Sequence, residues 1–190
     1  MNDDNIDVTL QVIDVLESLG ITYVIGGSLA STLHGVARTT LDSDLVADIK
    51  LEHIAAFVEQ LQTSFYVSAP SIIDAIVFQS SFNLIHLATM FKVDIFIPKP
   101  RFFDRSQLAN RTSIIVSHSP ERTAYVASAE DTILAKLEWY RMGDELSERQ
   151  WRDIIGVIRV QQDKLDIAYL REQAVELKVS DLLEKALNTN

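Results

Sequence analysis

Two aspartates one residue apart, Asp42 and Asp44, stand in the run Thr39-Thr40-Leu41-Asp42-Ser43-Asp44-Leu45-Val46. On an extended strand, side chains two apart project from one face with their Cα atoms about 6–7 Å apart, so both carboxylates can converge on one small cation. Folding alone gives no reason to gather like charges. A third carboxylate, Asp94, sits in Phe91-Lys92-Val93-Asp94-Ile95-Phe96-Ile97, among β-branched and aromatic residues that do not want it for packing. A buried carboxylate needs a partner or a metal, because desolvating it alone costs several kcal/mol. Three aspartates on neighbouring strands would make a hard, all-oxygen site suited to Mg²⁺ or Mn²⁺ rather than zinc. Asp42, Asp44 and Asp94 are therefore the candidate metal ligands.

The complementary chemistry lies upstream, in Gly26-Gly27-Ser28 directly after the apolar run Ile21-Thr22-Tyr23-Val24-Ile25. Glycines let a backbone approach a ligand closely, and the N-terminus of a following helix presents unpaired N–H groups to an anion. The Ser28 hydroxyl adds a donor. One part of the pattern thus suits phosphates and another the cation that accompanies them. Separately, a Gly-Gly turn is commonly only a turn, and Asp-x-Asp is commonly a solvated loop. The ordered combination is far more specific than either.

These residues must be held by a strand before the glycines, a helix after them, a strand carrying the aspartate pair, and another carrying Asp94. The periodicity supplies each. Val8, Val12, Ile13, Leu16 and Leu19 form the apolar stripe of a first helix over 6–19, with Gly20 at its end. Residues 21–25 read as a buried strand, 29–33 as a helix with Ser28 as N-cap and Gly35 closing it, 41–49 as a strand, and 51–61 as an amphipathic helix. From Phe65 onward the pattern reads as short strands: 81–87 and 91–97 as neighbours, the second stopped by Pro98 and Pro100, then 112–117 and 122–126. After Ser128 the reading is helical throughout, over 129–141, 148–160, 167–177 and 180–187. The expected fold class is α+β: a mixed β-sheet with flanking helices over 1–128, followed by a C-terminal helical bundle over 129–190 that packs on it.

Composition narrows the function classes. The chain has 190 residues, is 47% hydrophobic and 23% charged, and has no cysteine. Disulfides, thiolate nucleophiles and cysteine-ligated zinc are excluded together, in keeping with a cytoplasmic protein. No apolar run approaches the roughly 20 residues of a membrane span, so no membrane partner is expected. A net charge of −10 argues against a surface that is nucleic-acid-binding throughout. Locally, between Phe91 and Ser128, Lys92, Lys99, Arg101, Arg105, Arg111 and Arg122 outnumber Asp94, Asp104 and Glu121. That surplus fits either a patch receiving a polyanion or a solvated loop and strand edge.

The Gly-Gly-Ser turn, the Asp42-x-Asp44 pair and the later Asp94 resemble the nucleotidyltransferase superfamily, whose best-known fold is the catalytic domain of DNA polymerase β. The run Arg38-Thr39-Thr40-Leu41-Asp42-Ser43-Asp44-Leu45 is similar to the small bacterial branch that includes abortive-infection toxins of type IV toxin–antitoxin systems. So are Glu130-Asp131-Thr132-Ile133-Leu134-Ala135-Lys136-Leu137 and Arg149-Gln150-Trp151-Arg152-Asp153-Ile154-Ile155. The resemblance covers roughly residues 21–158. It implies transfer of a nucleoside monophosphate from an NTP to an acceptor hydroxyl, with Asp42, Asp44 and Asp94 catalytic and metal-binding. Gly26, Gly27, Ser28, Arg38, Lys136 and Asp153 would then serve the nucleotide. Read without the resemblance, Lys136 is a solvated helix lysine, Arg38 half of a surface ion pair and Asp153 a helix-face charge. The acceptor stays open among an RNA end, a protein and a small molecule, and the toxin branch implies a cognate antitoxin as partner. The alternative is a non-catalytic nucleotide-binding or regulatory module of antitoxin type.

Overall fold

The computed structural model describes residues 3–37, 40 and 42–189. The elements run α1 (Asp3–Ser18), β1 (Tyr23–Ile25), α2 (Gly27–His34), β2 (Asp42–Ala47), α3 (Ile54–Leu61), β3 (Phe65–Tyr66), α4 (Ala69–Phe78), β4 (Ser81–His86) and β5 (Lys92–Phe96). They continue with α5 (Phe102–Ala109), β6 (Thr112–His118), β7 (Glu121–Val126), α6 (Ala129–Met142), α7 (Glu148–Gln161), α8 (Ile167–Glu176) and α9 (Ser180–Leu187). Among the described residues the strands form one seven-stranded mixed sheet, in the order β3-β4-β5-β2-β1-β7-β6. Strand β2 runs parallel to β5 and β1 parallel to β7, whereas the remaining pairs are antiparallel. The α+β class read from the sequence is the observed one, helical C-terminal region included.

The two-residue period of the strands sorts the sheet into two faces. Along β2, Ser43, Leu45 and Ala47 are buried while Asp42, Asp44 and Val46 are only half-buried; along β5, Val93 and Ile95 are buried and Lys92, Asp94 and Phe96 are not. Leu45, Val93 and Ile95 join Val12, Ile13 and Leu16 of α1, Phe57 and Leu61 of α3, and Ile72 and Ala75 of α4 in one apolar core. Each large side chain fully buried there stabilises the fold by roughly 1.5–3 kcal/mol. That burial fixes the register, because a one-residue slip would drive the aspartates into the core.

A second apolar cluster joins α6, α7, α8 and α9 through Ile133, Leu137, Ile154, Leu170 and Leu183, and also takes in Phe103 of α5. Helix α2 lies against α6 and α7 and links the two regions. The contact is tight at Gly35. A Cβ there would stand 2.8 Å from the Ser31 carbonyl oxygen and 2.9 Å from the Val157 nitrogen, so a side chain would force the helices apart. Two hydrogen bonds close the same seam: the His34 ring nitrogen Nε2 to the Ala127 carbonyl at 2.6 Å, and the Gln161 amide to the His34 carbonyl at 2.6 Å.

The stretch after Phe65 differs from its reading as short strands, because it contains helices α4 and α5. Ile72, Ile73, Ile76 and Val77 of α4 have strand propensity, yet Ser68 caps the helix through the Ser71 N–H and Pro70 occupies its first turn. Only one stripe, Ile72 and Ala75, is buried. Capping and tertiary burial override the propensity of β-branched residues here. The 51–61 helix also opens differently, as a 3₁₀ turn over Leu51–His53 before α3.

Candidate active site

The β2–β5 ladder decides whether the three aspartates meet. Its parallel register pairs Asp42 with Lys92, Ser43 with Val93 and Asp44 with Asp94. Cross-strand partners share a face, so Asp42, Asp44 and Asp94 all project from the half-buried side of the sheet. Their fields are felt directly: the Asp44 carboxyl is pushed up to about 6, first by burial, then by Asp42 and Asp94. Opposing this are a hydrogen bond from the Ser28 backbone N–H and the charge of Lys136.

Asp44 also explains the glycines. The Gly26 N–H donates to the Asp44 carbonyl at 2.9 Å, tying the turn to β2. Gly27 has φ +53°, and a Cβ built on it would fall 1.8 Å from Asp44 Oδ2 and 2.5 Å from its Cγ. No other residue fits, because the Asp44 carboxylate lies where the side chain would be. Helix α2 accordingly starts at Gly27 with Gly26 as its N-cap, rather than at Leu29 with Ser28 as the cap. The paired glycines let the chain enter the helix two residues earlier, which puts Ser28 in the first turn, buried beside Asp44.

The helical region supplies cations to the same place. Lys136 of α6 is 4% exposed, and its Nζ lies 2.9 Å from Asp153 Oδ2 and 3.1 Å from Gln150 Oε1, both on α7. These are not a solvated lysine and a helix-face charge but a buried pair next to Asp44. Arg149 of α7 donates to the Ser28 hydroxyl at 3.3 Å. Asp42, Asp44 and Asp94 thus share one sheet face, Gly26, Gly27 and Ser28 lie against Asp44, and Lys136, paired with Asp153, acts on Asp44 as well. Arg38 lies outside the described residues. Arg149 and Gln150 escape a reading by spacing, because only the α2–α7 contact carries Arg149 to a serine 121 positions away. A groove of about 730 Å³ adjoins this cluster, with Ser31, Val36, Tyr140, Trp151, Arg152 and Asp153 in its walls. Asp48, on the Asp44 side of β2 in sequence, instead pairs with Lys50 at 2.5 Å on the surface.

The donor set fits a hard divalent cation in kind: three carboxylates on one face, one of them held well above its ordinary range by burial and by the other two. In position they are not drawn together, and among the described residues no group of three or more acidic or histidine side chains stands ready to hold a metal. Each is engaged elsewhere. Asp94 Oδ2 is 2.6 Å from Lys92 Nζ, Asp42 Oδ1 accepts from the Thr40 hydroxyl at 3.1 Å, and Asp44 lies over Gly27. The local basic surplus is likewise largely spent: Arg101 bridges Asp104 and Glu138, Arg122 pairs with Asp14, and Arg111 sits over the Tyr125 ring.

The fold has counterparts among solved structures. An antigenic nucleotidyltransferase-like protein from Paracoccidioides brasiliensis superposes with a TM-score of 0.55 at 20% identity, over 97% of this chain and 92% of that one. The antibiotic-resistance factor ANT(2'')-Ia gives 0.58 at 15% identity, over 97% and 98%. The lincosamide antibiotic adenylyltransferase LnuA, solved with lincomycin bound, gives 0.53 at 16% identity, over 84% and 98%. This chain therefore has the nucleotidyltransferase fold. No protein-family model and no curated protein sequence matches it. No helix of the described residues is long and apolar enough to cross a membrane.

Proposed function

We propose that this protein is a metal-dependent nucleotidyltransferase, moving a nucleoside monophosphate from an NTP to an acceptor hydroxyl and releasing pyrophosphate. The observation that carries the reading is the β2–β5 register, which sets Asp94 opposite Asp44 and two residues of strand from Asp42, beside the N-terminus of α2. Asp42, Asp44 and Asp94 would hold Mg²⁺ or Mn²⁺, which supplies charge neutralisation for the phosphoryl oxygens when bound. The chain's own contribution is position and charge. Gly26, Gly27 and Ser28 would set the N-terminus of α2 against the triphosphate, and Lys136, oriented by Asp153, would add its charge there. The groove walled by Tyr140 and Trp151 gives a bulkier substrate part room beside them.

In this reading residues 1–128 form the nucleotidyltransferase core and 129–190 a helical region that completes the site. Ser128 is the junction, capping α6 through the Asp131 N–H at 3.0 Å. The three neighbours differ in what their names record, so the acceptor here is assigned only as a hydroxyl compound: RNA end, protein or small molecule. A toxin role with a cognate antitoxin rests on sequence resemblance alone. Two observations favour the alternative of a non-catalytic nucleotide-binding module: Asp94 is held by Lys92, and among the described residues no three acidic side chains are grouped to hold a metal. Incubation with each labelled NTP and Mg²⁺, with and without total RNA, an aminoglycoside or lincomycin, separates the two. Pyrophosphate release with label on an acceptor is expected. Nucleotide binding with no pyrophosphate under any acceptor would leave the regulatory module.

A further inference from the structure

Lys92 stands inside the carboxylate site. The register that pairs Asp44 with Asp94 pairs Lys92 with Asp42, so four charged side chains occupy adjacent positions on one sheet face, three acidic and one basic. The Lys92 ammonium is 2.6 Å from Asp94 Oδ2, and the fields of Asp94, Asp42 and Asp44 all act on it. Its side chain is 44% exposed and its partner only 18%, so the lysine can swing to water while Asp94 cannot. An ordinary surface ion pair joins two mobile, solvated groups and contributes little. This one instead places a mobile cation on a fixed carboxylate that belongs to the proposed metal site.

We propose that Lys92 is a built-in counter-cation, seated on Asp94 in the metal-free protein and displaced when a divalent cation enters, so that it sets the metal concentration at which the site fills. The inference rests on the proposed metal-dependent reading of the site. An ammonium seated on Asp94 Oδ2 and a metal ion at the same carboxylate repel each other, and the ammonium occupies one of the two oxygens the metal could use. The lysine therefore lowers metal affinity. It also offsets the mutual repulsion of the three carboxylates, all of whose fields act on it.

The test is Mn²⁺ binding to the nucleotide-free protein, followed by the loss of the free-ion electron paramagnetic resonance signal. Lys92→Met is expected to bind Mn²⁺ about twofold to fivefold more tightly than the parent, the range expected when a partly exposed competing ion pair is removed. Lys92→Arg, which keeps the charge, should bind no more tightly than the parent. In an Asp94→Asn background the Lys92→Met gain should vanish, since the lysine has lost its seat. Equal or weaker binding by Lys92→Met overturns the proposal. So does a gain that persists undiminished in the Asp94→Asn background, which would mark a general charge effect. Absence of Mn²⁺ uptake by every form overturns the metal-dependent reading itself, and the inference with it.

Discussion

Replacing Asp44 by asparagine should make the metal-free protein more stable while removing the proposed nucleotidyl transfer. The Asp44 carboxyl titrates at about 6 in the folded chain against an ordinary value of 3.8, because burial and the charges of Asp42 and Asp94 penalise its ionised form. The folded state thus binds this proton more tightly than the unfolded state. The stability it contributes is fully present below 3.8 and is lost as pH rises through about 6. At 1.36 kcal/mol per pH unit the full effect is about 3 kcal/mol, and water reaching a half-buried face reduces it to about 1–2 kcal/mol. Asparagine is isosteric, retains an acceptor for the Ser28 N–H, and carries no charge to penalise. Urea unfolding in EDTA should therefore show Asp44→Asn more stable by about 1–2 kcal/mol at pH 7.5, roughly 3–6 °C in melting temperature for a domain of this size. At pH 4 the advantage should shrink to near zero. A variant less stable than the parent at pH 7.5, or an advantage independent of pH, would refute the electrostatic account and make Asp44 a structural residue.

Gly27→Ala should lose both stability and nucleotide binding: its backbone sits at φ +53° and the new Cβ would displace the Asp44 carboxylate. A cost of about 2 kcal/mol or more is expected from the left-handed conformation and the clash together, read by urea unfolding, with binding followed by a fluorescent NTP analogue. Asp153→Ala should destabilise the protein by about 3 kcal/mol, because Lys136, 5% exposed at its side chain, loses its carboxylate partner. Adding Lys136→Met to that variant should recover much of the loss in the same unfolding assay; no recovery would mean that packing rather than charge carries the pair.

What the sequence made legible is what its local periods encode. The alternation in residues 42–47 and 92–96 places Asp42, Asp44 and Asp94 at half-buried positions without reference to topology. The C-terminal helices follow from their stripes and from capping serines at 128 and 147. Cross-strand register is a different kind of information. That Lys92 lies opposite Asp42 depends on β2 and β5 running parallel side by side, though the two strands are far apart in the chain, and no spacing rule reports it. Arg149 comes to the turn through the α2–α7 contact, which close approach at Gly35 permits, and Gln150 reaches Lys136 across the α6–α7 contact. Helix α4 was hidden for a local reason instead: its four β-branched residues outweigh the cap signal at Ser68-Ala69-Pro70 when propensity is read alone.

The division of charge between the two regions gives the fold its logic. The sheet contributes Asp42, Asp44 and Asp94, and the helices that dock on it contribute Lys136 and Arg149. The sheet's set is self-repelling, and Lys136 eases the ionisation of Asp44 once α6 and α7 lie against α2. Asp44 is where the two meet, touching Gly27 and the Ser28 N–H on one side and feeling Lys136 on the other. A change in its charge should therefore be felt in how firmly the helices hold α2, as well as at the carboxylates. Hydrogen exchange at the amides of α7 would show it: Asp44→Asn removes an attraction for Lys136, so protection around Asp153 should fall even as the whole protein gains stability. Opposite responses of local and global stability to one substitution are the expected mark of a site whose charges are shared across the seam.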